Sequence, residues 1–177
     1  MKDIVTTIEK PKLKIFIAHA HLNGKLVQKF LQLLKAHLKI NGRYEYEIWI
    51  DAKIVTGSEW DESIQESDLA ILLLSPAFFS SDYILDKELP HLYQMTKMSD
   101  GKEKIQLKKH IVPVGLVKIN HNGNLNGIND TQIFLHKVPG KDGKFFNELN
   151  TVVRNEFVMN LVSEMNRKMD KAYGNTP

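Results

Sequence analysis

The sequence contains no cysteine. That absence excludes disulfide bonds, thiolate catalysis and any metal site with cysteine ligands, and it suits the reducing cytoplasm in which we expect the protein to reside. Long apolar runs are also missing. The longest, around residues 69–74, is far shorter than the ~20 residues that span a bilayer, so we expect no membrane segment. The first residues, MKDIVTTIEKPK, lack the apolar stretch of a secretory signal.

The excess of positive over negative charge is also small. The formal net charge of +3 is too small to indicate a nucleic-acid partner. The most basic run, residues 102–109 (KEKIQLKK), is interpreted as a solvated loop, with an anion-binding patch as the alternative. Neither G-x-G-x-x-G nor a Walker motif is present, which excludes a Rossmann-like phosphate loop. His19 and His21 alternate along one face, but no further ligand lies at a recognisable spacing, so we expect no metal.

The hydrophobic pattern predicts a single α/β domain. With 177 residues, one domain is the usual expectation, and we place a leader at 1–11, the domain at 12–173 and a tail at 174–177. Strands are predicted at 13–18, 44–50, 68–74, 110–117 and 131–135. Helices are predicted at 25–40, at about 58–66, within 77–98 and at 145–172.

This alternation predicts a flavodoxin-like three-layer sandwich. We expect a five-stranded parallel sheet in the order 2-1-3-4-5, with helices on both faces. Ligands of such folds bind beyond the carboxyl ends of the strands. In this sequence those ends lie at 18–23, 51–58 and 75–88.

Three segments at those strand ends share features with a known family. They are residues 14–20 (KIFIAHA), residues 49–60 (WIDAKIVTGSEW), and residues 72–83 (LLLSPAFFSSDY), which run on to Lys87-Glu88-Leu89-Pro90. Together they resemble the boxes of a TIR (Toll/interleukin-1 receptor) domain, in particular the NAD⁺-cleaving bacterial type, over about residues 12–165. Ala18 stands where the family usually carries serine.

The resemblance implies one of two functions. Many bacterial and plant members hydrolyse NAD⁺, or cyclise its ADP-ribose part, in antiphage or cell-death responses; many animal members are adaptors without chemistry. Both kinds self-associate, and in catalytic assemblies the loop after strand two of one subunit helps to complete the site of the next. NAD⁺ would be a substrate, no cofactor is expected, and the resemblance allows a sensor module that is fused to or associated with the domain.

The resemblance identifies Glu88 as the catalytic residue, and the chemistry is compatible with one carboxylate. The nicotinamide of NAD⁺ is cationic and leaves as a neutral molecule, so no general acid is needed. The ribose left behind resembles an oxocarbenium ion, which a nearby carboxylate stabilises. The alternative is an exposed helix glutamate that pairs with Lys87 or His91.

The resemblance also suggests residues that contact the substrate. These are Phe16, Ala18, His19, Asp51, Lys53, Gly57, Trp60, Ser75 and Tyr83. Ordinary structural roles stay open for several of them: Phe16 in the core, Asp51 and Gly57 in a turn, and Ser75 as a helix cap. Tyr83 is the favoured residue for stacking on adenine or nicotinamide, whereas Trp49 is expected in the core.

Two other classes share the fold. A response-regulator receiver needs an acidic pair after strand one and a phospho-acceptor aspartate after strand three. Ala18-His19-Ala20 and Ser75-Pro76 occupy those places, which argues against a receiver. A nucleoside deoxyribosyltransferase also uses a glutamate on a glycosidic bond, but the W-x-D…G-x-x-W loop favours the TIR domain.

Overall fold

The computed structural model describes residues 10–41, 43–50, 66–97, 99–108, 110–120, 124–129 and 132–174. Four of the expected substrate-binding residues, Asp51, Lys53, Gly57 and Trp60, therefore lie outside the described residues. So do most of the expected leader and almost all of the helix expected at about 58–66.

Four parallel strands form the main sheet of the described chain. The first six strands of the described chain, of which β4 and β5 lie outside the main sheet, are in chain order β1 (Lys12–His19), β2 (Glu45–Ile50), β3 (Leu69–Leu74), β4 (Tyr93–Lys97), β5 (Glu103–Leu107) and β6 (Ile111–Gly115). The main sheet has the order β2-β1-β3-β6. In its register Ile17 lies opposite both Ile50 and Ile71. All six residues of β3 are buried, as expected for a central strand covered on both faces.

Alternate side chains of the strands enter two separate cores. Ile17 and Ile71 belong to the first core, on the side of the two long helices. Phe16, Ala18 and Leu72 belong to the second core, on the opposite side of the sheet. The expected layered α/β arrangement is thus present, with a separate core on each side of the sheet.

The first core is covered by α1 (Gly24–Ile40) and a long helix near the carboxyl end. One helix is predicted over 145–172, but the structure has a short 3₁₀ turn at Phe146–Glu148 before it. Glu148 accepts a hydrogen bond from the Phe145 N–H (2.9 Å), which holds that turn. The long helix starts only after Asn150, whose side chain caps it by accepting from the Val153 N–H (3.0 Å).

The second core is covered by short helical pieces. They are α2 (Pro76–Phe79), a π-helical segment at Ile84–Glu88, and α3 (Leu89–Leu92). The long helix is accordingly α4 (Thr151–Tyr173). The helical part of the range 77–98 ends at Leu92. From Tyr93 the chain forms β4, which pairs with β5 as an antiparallel hairpin that was not expected.

The hairpin also corrects the interpretation of residues 102–109 as a loop. Charge favours a loop, but the alternation of polar and apolar residues in EKIQL is that of a strand. A second small hairpin, β7 (Asn124–Leu125) with β8 (Ile128–Asn129), lies between the strands predicted at 110–117 and 131–135. Its turn residues Asn126 and Gly127 both have positive φ, the conformation that Asn-Gly favours.

The expected fifth strand at 131–135 is reduced to a single parallel bridge between Phe134 and Val114 in the part of the chain that the structure describes. Phe134 N–H donates to the Pro113 carbonyl (2.7 Å) and Gly115 N–H donates to the Phe134 carbonyl (3.0 Å). Residues 113 and 115 therefore face this outer edge of β6. Pro113 has no N–H to donate toward residue 132, so the ladder does not extend.

Candidate active site

The loops after β1 and β3 meet at the carboxyl edge of the sheet. The Ser75 hydroxyl donates to Oδ1 of Asn23 (2.7 Å) and accepts from the Phe78 N–H (3.0 Å). Ser75 is fully buried and caps α2. Its cap role is thus confirmed, while its partner Asn23 is not among the predicted site residues. The neighbouring positions of strands one and three in the predicted order were the signal that these loops would meet.

Glu88 is fully buried at the end of the π-helical segment. Ile84 is buried with it, whereas Asp86 and Lys87, between them in sequence, are exposed. An exposed helix glutamate is therefore a wrong interpretation of this residue. The carboxyl group lies on the face of the segment that covers the second core.

Pro90 explains why this segment is π-helical. The Leu89 N–H bonds back five residues to the Ile84 carbonyl, and Pro90 follows without an N–H of its own. A proline inside an α-helix would clash with the carbonyl four residues earlier, here that of Asp86, and the wider turn relieves this contact. Such π turns are rare and are frequent at functional sites. Glu88 lies four residues after the buried Ile84, so the two side chains share the buried face of the segment.

Phe16 and Ala18 lie on the same side of the sheet as Glu88. Both are fully buried in the second core, together with Ile84 and Leu89 of the helical pieces. The ordinary role of Phe16 as a core residue is confirmed. Ala18 brings a small side chain to the strand end beneath this helical layer.

His19 does not share that side. It alternates with Ala18 along β1 and is 6% exposed, and its ring meets the edge of the His21 ring with centroids 5.7 Å apart. Its side chain is therefore directed away from the layer that contains Glu88, and only its backbone belongs to the common strand end. No group of three or more histidine, aspartate or glutamate side chains among the described residues is arranged to hold a metal.

Of the two aromatic expectations, the stacking role of Tyr83 stays a prediction and the core position of Trp49 is wrong. Tyr83 is 49% exposed, just before the segment that buries Glu88. Trp49 lies on the outer strand β2 and is half-buried, not in the core as expected. Its indole N–H donates to Glu47 (2.7 Å), and the Lys14 ammonium sits 4.6 Å from its ring centroid.

Two open cavities of the described structure lie elsewhere. One of about 1050 Å³ runs between β6 and α4, and one of about 780 Å³ lies beside β2. Neither is lined by Glu88, Ser75 or Phe16. Of the predicted site residues, Glu88, Phe16, Ala18 and Ser75 are fully buried in this structure.

The parallel sheet, its two helical layers and the residues at its carboxyl edge define a flavodoxin-like α/β domain. The family model described as TIR domain matches residues 15–149, more than half of the chain. The protein therefore belongs to the TIR domain family. No curated protein matches the chain in a sequence comparison. Among the described residues, no helix is long and apolar enough to cross a membrane.

Proposed function

We propose that the protein cleaves the nicotinamide–ribose bond of NAD⁺, with Glu88 as the catalytic carboxylate. The observation that carries the proposal is the complete burial of Glu88 in a π-helical turn, within the segment that resembles the family's catalytic stretch. Taking a carboxylate out of water has a desolvation cost. Such a cost is common where activity requires the group.

The reaction balances without a cofactor. The C1′–N bond breaks, its electron pair stays on the ring nitrogen, and nicotinamide leaves neutral. The carboxylate stabilises the positive charge on the ribose, more strongly in a dry site than in water. Water then adds at C1′ and loses a proton to give ADP-ribose. Attack by a nitrogen of the adenine gives a cyclic isomer instead.

Burial of Glu88 imposes a condition on this reaction. NAD⁺ contacts the carboxylate only in a conformation that exposes it, and we propose that self-association of TIR domains provides that conformation. Asp51, Lys53, Gly57 and Trp60 would shape the nucleotide pocket, with Tyr83 stacking on a base. We place the activity in cytoplasmic bacterial antiphage signalling, downstream of a fused or associated sensor module.

The test is nicotinamide release from NAD⁺ by concentrated protein, with the products separated by mass. We expect Glu88→Gln, which keeps the size of the side chain, to fold normally and to lose activity by about 100-fold or more. Asp86→Asn is the matched control, because it removes an exposed carboxylate from the same segment. Equal release by wild type and Glu88→Gln would overturn the assignment, and the product mass distinguishes hydrolysis from cyclisation.

The second candidate is an adaptor that acts only through TIR–TIR contacts. The complete burial of Glu88 favours it, and Glu88 lines neither of the two cavities described above. An adaptor would show association by sedimentation, and that association would be unchanged in Glu88→Gln. It would release no nicotinamide at any protein concentration.

A further inference from the structure

A basic groove lies on the outer edge of β6, away from Glu88. It is the cavity of about 1050 Å³ between β6 and α4. Its cationic side chains, which define the groove here, are Lys108, Lys137, Arg167, Lys168 and Lys171, and the imidazole of His110 lies among them. The motif that resembles the catalytic segment contributes nothing to it.

Two features of the sequence create the groove. Glu164, Lys168 and Lys171 recur at spacings of three and four residues, which places them on one stripe of α4. Opposite them, Lys108 and His110 lead into β6. Pro113 stops the sheet from continuing past this edge, and the space that a full fifth strand would occupy stays open.

The lining has a strongly positive balance. Glu164 is the acidic residue among the described lining side chains, and Arg167 binds it through two hydrogen bonds (2.8 and 2.6 Å). The hydrogen bond from Arg167 lowers the pKa of Glu164, and the charges of Lys168 and Lys171 lower it further. Cations on facing walls of a concave surface concentrate anions there.

The groove also has an apolar floor. Pro113, Phe134 and Met169 line it, and Met169 and Pro113 are buried. Small-molecule sites commonly enclose about 300–1000 Å³, so this groove has room for much more than a phosphate ion. A ligand that fits both features carries several negative charges and a planar apolar part.

We propose that the basic groove binds an organic polyphosphate of the nucleoside di- or triphosphate class. The phosphates lie between Lys108 and the cations of α4, and the base lies on the floor at Phe134. This site does not depend on NAD⁺ cleavage, because none of its residues is among those proposed to act on or bind NAD⁺.

The experiment is calorimetric titration of the full chain with ATP, tripolyphosphate and adenosine at low and moderate salt. The groove variant is Lys168→Glu with Lys171→Glu. The control is Lys25→Glu with Lys29→Glu, an equal change of charge at two exposed positions of α1 outside both cavities. Lys171→Ala is a milder second variant at an exposed residue, and thermal unfolding verifies that each variant folds.

We expect ATP to bind wild type and the control alike, and binding to weaken as salt rises. In the groove variant the Kd for ATP should rise by about tenfold or more, and in Lys171→Ala by about threefold. Adenosine alone should bind weakly. Equal affinity for tripolyphosphate and ATP would overturn the nucleoside part of the proposal.

Two other outcomes would overturn the site itself. One is ATP affinity that is undetectable or that is equal in the groove variant and the control. The other is a change in sedimentation of the groove variant without a change in ATP binding, which would assign the groove to a second copy of the chain.

Discussion

The Ser75 hydroxyl donates a hydrogen bond of 2.7 Å to Oδ1 of Asn23, and this contact joins the loop after β1 to the loop after β3. The same hydroxyl accepts from the Phe78 N–H, so one buried oxygen also begins α2. The chain from α2 then leads through the π turn to Glu88. The position of the proposed catalytic residue relative to β1 therefore depends on a polar contact at the edge of the sheet.

Ser75→Ala should lower the free energy of unfolding by about 1–3 kcal/mol, since it removes a helix cap and leaves the Asn23 amide oxygen without its hydroxyl donor. Urea unfolding measures the change. Ser80→Ala is the matched control, because the Ser80 hydroxyl bonds only locally to the Ala77 carbonyl at an exposed site. A serine-to-alanine cost at position 75 no larger than at position 80 would show that the contact does not stabilise the edge.

Burial of Glu88 leads to a kinetic prediction. If association exposes the carboxylate, the rate of nicotinamide release per protein molecule should rise as protein concentration rises, and it should level off when association is complete. The measurement is initial rate against protein concentration, with sedimentation on the same samples. A rate per molecule that is constant over a hundredfold range of concentration would contradict a site opened by association.

The order of the four main strands follows from sequence pattern, because the apolar run of β3 allows only a central position and right-handed crossovers restrict the rest. The register of Glu88 was harder to predict. Its position four residues after Ile84 places both side chains on one helix face, but glutamate is rarely fully buried, so the sequence pattern did not indicate that this face would be the buried one. In the described chain the expected fifth strand is likewise reduced to one bridge, because Pro113 faces the outer edge of β6 and has no N–H to donate there. Both features depend on tertiary geometry, which the periodicity of the sequence does not contain.

The hairpin of β4 and β5 illustrates a different limit. Its strands are short and polar, and their pairing partners lie only a few residues apart, so periodicity alone does not separate them from a loop. Trp49 was misassigned for a related reason. An aromatic residue in a strand is usually expected inside, but β2 is an outer strand of the described sheet, and Lys14 covers the ring from the next strand.

His110 should make stability depend on pH. Burial lowers its pKa, Lys108 and Lys168 lower it further, and Asp68 opposes them. The unfolded chain therefore binds a proton more readily than the folded protein. The stability from neutral His110 is fully present above about pH 6.5 and is lost as pH falls below that value toward the folded pKa.

His110→Gln should reduce the difference in unfolding free energy between about pH 7.5 and about pH 5.5. His136→Gln, outside the lining of the basic groove, is the matched control for the substitution itself. Tripolyphosphate in the groove should raise the pKa of His110, which NMR titration of the imidazole measures directly. An unchanged pH profile in His110→Gln would contradict the role given to this side chain.

Gly115 is required where β6 ends, because the chain packs against it too closely for a side chain. A Cβ there would overlap the Leu135 side chain and lie 2.7 Å from Cδ1 of Phe145. Gly143 makes a second close approach to the same side chain: a Cβ at Gly143 would lie 2.9 Å from Leu135. Gly115→Ala should therefore lower the free energy of unfolding by about 1–3 kcal/mol.

Gly24→Ala is the matched control, because nothing lies within 4 Å of a Cβ at that position. It should be neutral, or stabilising by up to about 1 kcal/mol through helix propensity. Combining Gly115→Ala with Leu135→Ala should cost less than the sum of the two single changes, since the smaller side chain removes the overlap. Urea unfolding of the four variants measures this coupling. Additive costs would show that Leu135 is not what makes glycine necessary at the end of β6.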